Sequence, residues 1–176
     1  MPAIVVERQF DRPLNLEEFL HEDRAFTDSL EGVRTLLRSL SPEGRMGFTI
    51  CDVRDDAILR RAAEASGKGL RVWVADEYRE EGVPGERPVL RKGEATFGLV
   101  DRSFGQPKEF SELQAIEDAA SSCLVMHRVR YICSYLSRDR QRMACLYAAP
   151  DLEAIRHACG QIDLPFNQVS RTLVCD

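Results

Sequence analysis

The chain has 176 residues, of which 44% are hydrophobic and 30% charged, with a net charge of −5. Those proportions are those of a folded globular protein, not a disordered one. An acidic chain (pI near 5.3) lacks the basic face that binds nucleic acid or an anionic membrane surface. No apolar run reaches the roughly 20 residues of a membrane helix, and the N-terminus MPAIVVERQF has neither a basic start nor an apolar signal core. The expectation is a cytoplasmic protein.

Elements follow in chain order. Ala3 to Phe10 is rich in β-branched residues and predicts a strand. Leu16, Phe19, Leu20, Phe26 and Leu30 recur at helical spacing. Val33 to Leu40 predicts a second strand, Ser41-Pro42-Glu43-Gly44 a turn, and Met46 to Val53 a third strand. Asp55 is placed to cap a helix running to about Ser66, and Leu70 to Ala75 predicts a fourth strand. The Gly-, Pro- and charge-rich stretch Tyr78 to Gly93 reads as a linker. Beyond it come a strand over Thr96 to Phe104 and a helix carrying Leu113, Ile116, Ala120, Cys123 and Leu124. A hairpin of Val129 to Ser137 and Arg142 to Ala148 follows, then a helix opened by Pro150 and a last strand over Gln168 to Val174.

The order β-α-β-β-α-β therefore occurs twice. Val6-Glu7-Arg8-Gln9-Phe10 matches Val100-Asp101-Arg102-Ser103-Phe104, and Arg45-Met46 matches Arg142-Met143. Matches between these run in order, at offsets between 94 and 97, which marks an internal duplication. The fold class expected is α+β, as two tandem ferredoxin-like modules packed as an internal pseudo-dimer. Residues 1–77 form the first module, 78–93 the linker and 94–176 the second.

The second hairpin carries Tyr131, Cys133 and Tyr135, then Cys145 and Tyr147, in one alternation phase, with apolar residues in the other. A sheet apolar on both faces is buried on both, and the sister sheet is its natural cover. Two outcomes stand: the sheets pack closed, or they enclose a ligand cavity lined by those five residues with Asp101 and Glu7.

Six cysteines form no C-x-x-C pair, so they are expected as free thiols, with Cys145 and Cys51 buried. His127 follows Cys123 by four residues, so one helix face presents both to a metal ion, or His127 caps the helix end. His157 follows Glu153 at the same spacing. No P-loop, dinucleotide fingerprint or nucleophile elbow is present, so no catalytic residue is assigned; the fold expected here hosts enzymes and non-enzymatic proteins alike.

The second half also carries Val-Asp-Arg-Ser-Phe at 100–104, Val-Arg-Tyr-Ile-Cys-Ser-Tyr-Leu-Ser at 129–137, Cys145-Leu146-Tyr147-Ala148-Ala149-Pro150-Asp151, Glu153-Ala154-Ile155 and Leu164-Pro165-Phe166. These segments resemble a small ferredoxin-like family known by a nickel-responsive, nickel-binding member. The resemblance implies a binding protein for Ni²⁺ or another transition metal, with His127, Cys123 and His157 as the candidate ligands. It departs at two points: members commonly have tryptophan at the position of Tyr131, and a histidine at that of Ala158, one residue after His157. The alternative function is a small enzyme or small-ligand protein using the intermodule cavity. Assembly as a monomer or as a homo-oligomer stays open.

Overall fold

The computed structural model describes residues 2–28, 32–53, 69–79 and 83–175. The first half contains β1 (Pro2–Gln9), α1 (Leu16–Thr27), β2 (Val33–Leu40), β3 (Met46–Val53) and β4 (Leu70–Arg79). The second contains β5 (Thr96–Ser103), α2 (Phe110–Ala119), α3 (Ser121–Met126), β6 (Arg130–Ser137), β7 (Arg142–Ala149), α4 (Leu152–Gly160) and β8 (Gln168–Val174). The helix expected over 55–66, and Leu30 of the first helix, lie outside the described residues.

Local chemistry explains the helix starts. Asn15 accepts the Glu18 N–H at 3.0 Å while Glu18 reaches back to the Asn15 N–H at 2.9 Å, a reciprocal capping box. Asp151 caps α4 by accepting the Ala154 N–H at 2.8 Å. Pro150 therefore stands just before the cap and does not open the helix. The single helix expected through Leu113 and Leu124 is instead two, broken at Ala120, whose backbone (φ −95°, ψ 5°) leaves the helical region.

The eight strands among the described residues form one closed antiparallel barrel in the order β1-β3-β2-β8-β5-β7-β6-β4. This overturns the expectation of two tandem ferredoxin-like modules stacked as a pseudo-dimer. The physical reason lies at the strand edges. A four-stranded sheet leaves two rows of unpaired backbone groups. Here β2 pairs with β8, Leu37 opposite Val174, and β4 pairs with β6, Ala75 opposite Ser137. Those two seams remove every edge. The extra length of β4, which runs to Arg79 within the stretch read as linker, makes the second seam.

The two apolar faces now have separate roles. Val5, Phe48, Ile50, Leu99, Ala144 and Leu146 point inward and fill the barrel. Val100, Met143, Cys145 and Tyr147 point outward and pack under the helices with Leu113 and Ile155. Gly98 admits α4 closely, since a Cβ there would lie 2.5 Å from Ile155 Cδ1.

One irregularity decides which side chains reach which layer. The β6–β7 register skips Ile132: Tyr131 opposes Tyr147, but Cys133 opposes Leu146. Such a bulge reverses the alternation beyond it. The matching strand of the first half skips Leu36 in the same way.

Candidate metal centre

The structure divides the residues expected to line one cavity. Cys133 and Tyr135 point into the barrel. Tyr131, Cys145 and Tyr147 lie on the outer side, under the helices. The bulge at Ile132 is the cause, because simple alternation put Tyr131 and Cys133 on one face. Glu7 and Asp101 sit at one end of the barrel. Glu7 pairs with Arg142 at 2.8 Å and Arg71 at 3.4 Å, and Asp101 accepts from Asn167 Nδ2 at 2.8 Å. Burial, opposed by the Asn167 hydrogen bond, holds the Asp101 carboxyl above its ordinary range.

Under the helices lies a hydrogen-bonded group that the sequence reading missed. The Tyr131 hydroxyl donates to Ser134 Oγ at 2.9 Å, and Ser134 donates to Cys145 Sγ at 3.2 Å. The Tyr147 hydroxyl donates to Glu117 Oε1 at 3.0 Å, and the Cys145 thiol points at the same oxygen from 3.9 Å. Arg102, fully buried, donates to the Leu164 and Pro165 carbonyls at 2.5 and 3.2 Å. A sequence signal for Glu117 existed: it follows Leu113 by four residues, on the buried stripe of α2. Burial, with the nearby Glu117 carboxylate, pushes the Cys145 thiol up to about 12. Burial likewise raises Cys51 and Cys133 to about 12 and Cys159 to about 11. These are inert thiols, not nucleophiles.

The histidines behave differently. His127 ends α3, with its backbone N–H donating to the Cys123 carbonyl at 3.1 Å. His157 lies in the last turn of α4. The two imidazoles, 30 positions apart in sequence, face each other with ring centroids 6.0 Å apart and planes inclined by 17°. His127 Nε2 is buried and makes no hydrogen bond. A buried nitrogen without a partner is costly unless something outside the chain satisfies it. The two planes are nearly parallel, so one imidazole would have to turn for a nitrogen of each ring to reach a common ion at about 2.1 Å. No group of three or more His, Cys, Asp or Glu side chains placed to hold a metal occurs among the described residues. Cys123 therefore does not complete a three-residue set with the two histidines. His21, on α1, belongs to the other half of the chain.

Residues 99–171 match the family model described as "Nickel responsive protein SCO4226-like". That segment runs from within β5 to within β8 and contains both imidazoles. The resemblance read from the second half is thereby shown for it. No curated protein matches the chain. Solved structures resemble the whole of it. One is an "anthrone oxidase-like protein", at 7% identity and TM-score 0.53, covering 98% of this chain and 91% of that one. A second is a "Putative Chlorite dismutase", at 12% identity and TM-score 0.54, covering 99% and 94%. A third is a "Putative monooxygenase" from Fusobacterium nucleatum subsp. nucleatum, at 10% identity and TM-score 0.50, covering 99% and 93%. At such identities the likeness concerns the fold alone. No helix among the described residues is long and apolar enough to cross a membrane.

Proposed function

We propose that the protein is a non-enzymatic binding protein for a divalent transition metal, Ni²⁺ first, with His127 and His157 as its side-chain ligands. One observation carries this reading. Two histidines from separate helices of the family-matching segment meet ring to ring, and one presents a buried nitrogen with no partner. Imidazole nitrogens suit nickel, copper and zinc, and nickel accepts nitrogen and oxygen ligands in tetragonal sites. The two imidazoles would fill two positions, and water or another molecule the rest. Bound there, the ion would tie α3 to α4.

Calorimetric titration with Ni²⁺ tests the proposal. Saturable binding is expected near micromolar, and His127→Ala or His157→Ala should each weaken it by at least about tenfold, about 1.4 kcal/mol. Binding that survives both substitutions unchanged, or no saturable binding at that concentration, would overturn it.

A further inference from the structure

Five large apolar side chains stay exposed among the described residues: Val83, Val89, Leu90, Val125 and Met126, by 42 to 76%. They gather round one cleft. Val89 and Val125 both line it, and Leu90 and Met126 are their chain neighbours. The Val83 carbonyl accepts the N–H of Glu86, another lining residue, at 2.9 Å. Single exposed apolar residues are ordinary, but a gathered set marks a surface that something covers.

The patch has both relief and rigidity. Val125 and Met126 are the last two residues of α3 and project into solvent. Beside them the cleft holds about 420 Å³ between α3 and the strap of residues 86–91, and Leu124, Val129 and Ile132 line it. Such a volume admits side chains of that size. The strap is pinned by its backbone. Arg79 donates to the Glu86 carbonyl at 2.7 Å, and Arg130 donates to the Val89 carbonyl at 3.0 Å. Val89 and Leu90 are therefore presented on a fixed loop, and a surface fixed in advance loses little entropy on association.

We infer that this face joins two copies of the chain in a two-fold dimer, each copy setting Val125 and Met126 into the other's cleft. A projection next to a recess of the same apolar character is what a two-fold contact needs, because one patch must supply both halves of the fit. The area agrees. Five side chains so exposed present on the order of 500 Å², the upper end of one patch on a monomer. Two copies bury about twice that, which reaches the roughly 1,000 Å² at which a specific interface begins. An interface of this size makes a reversible dimer, not a permanent one. The inference is independent of the metal reading, because none of these residues is a proposed metal ligand.

Sedimentation equilibrium on chelator-treated protein tests it, the chelator excluding copies bridged by metal. The chain of 19.9 kDa should approach twice that mass, with a dissociation constant between about 1 and 100 µM. Val125→Lys/Met126→Lys should weaken association at least about tenfold, since like charges would meet across the two-fold axis. Both positions face solvent in the single copy, so the melting temperature should move by no more than about 3 °C. Val89→Lys/Leu90→Lys, on the strap, should weaken association to a similar degree. Glu43→Lys, exposed in the turn between β2 and β3, changes the net charge as much and should alter association by less than about twofold. A monomer up to about 500 µM would overturn the inference and leave the patch to a different partner. A dimer that both double variants leave intact would overturn it too, because the copies would then meet by another face. So would equal weakening in Glu43→Lys, which would trace to net charge alone.

Discussion

At the scale of single residues, the groups that matter are polar side chains partly or wholly withdrawn from water. Asp101, half-buried, is one of them. Burial is the largest influence on its carboxyl, followed by the opposing hydrogen bond from Asn167 and then by repulsion from Glu7, and the balance leaves it above its ordinary range. A carboxyl raised in the fold favours folding while protonated. That contribution is complete below the unfolded value of about 3.9 and is lost as pH rises through the raised folded value. At neutral pH the ionised side chain therefore weakens the fold. Asp101→Asn removes the charge and still offers Asn167 an acceptor. Its melting temperature is expected above that of the parent protein at pH 7, with the gap closing on acidification to below about pH 4. A variant that melts lower at pH 7 would show that Arg142 and Arg71 outweigh the burial.

The histidine pair was only half legible in the sequence. Its members were visible as candidates, and the helices that carry them were predicted. What brings them together is packing of α3 against α4, which no local spacing encodes. The pairing of Cys123 with His127 was read from i, i+4 spacing alone. The break at Ala120 leaves Cys123 on a short separate helix with His127 as its C-cap, and no three-ligand group occurs among the described residues.

Among elements, turn chemistry and alternation were reliable guides, while bulges were invisible. The turn between β2 and β3 contains Gly44 at φ +67°, and a Cβ there would stand 2.2 Å from the Leu14 carbonyl oxygen. Gly44 also donates to the Ser41 carbonyl at 2.9 Å, and its own carbonyl accepts from Leu14 at 2.8 Å. Gly44→Ala combines a left-handed backbone with a backbone collision. It is expected to destabilise the fold by about 1–3 kcal/mol in urea unfolding. A loss below about 0.5 kcal/mol would contradict this account of the turn. By contrast, nothing in Tyr131-Ile132-Cys133 announces that Ile132 is skipped by the ladder. That one residue sends Tyr131 to the helix side and Cys133 into the barrel, two residues that strict alternation put on one face.

For the whole molecule, the order of the eight described strands was legible in the sequence, but their assembly was not. Sequence patterning shows which faces are apolar and says little about which edges meet. The seams β2–β8 and β4–β6 join the two halves by backbone hydrogen bonds, so the barrel interior is common to both. One cooperative unfolding transition is the consequence. Trp73, the sole tryptophan, packs against the barrel core from β4 in the first half. Its fluorescence and the far-UV circular dichroism of the whole chain should follow one urea curve with one midpoint. Separated midpoints would mean that the halves unfold as independent units.

The central claim is that this barrel carries a two-imidazole metal site between α3 and α4. The nickel K-edge X-ray absorption spectrum of the loaded protein tests it most directly. The account predicts a shell of nitrogen and oxygen at about 2.0–2.1 Å with the outer scattering of two imidazole rings, one ring being lost in each of His127→Ala and His157→Ala. A spectrum without imidazole scattering, or one unchanged in both variants, would contradict it.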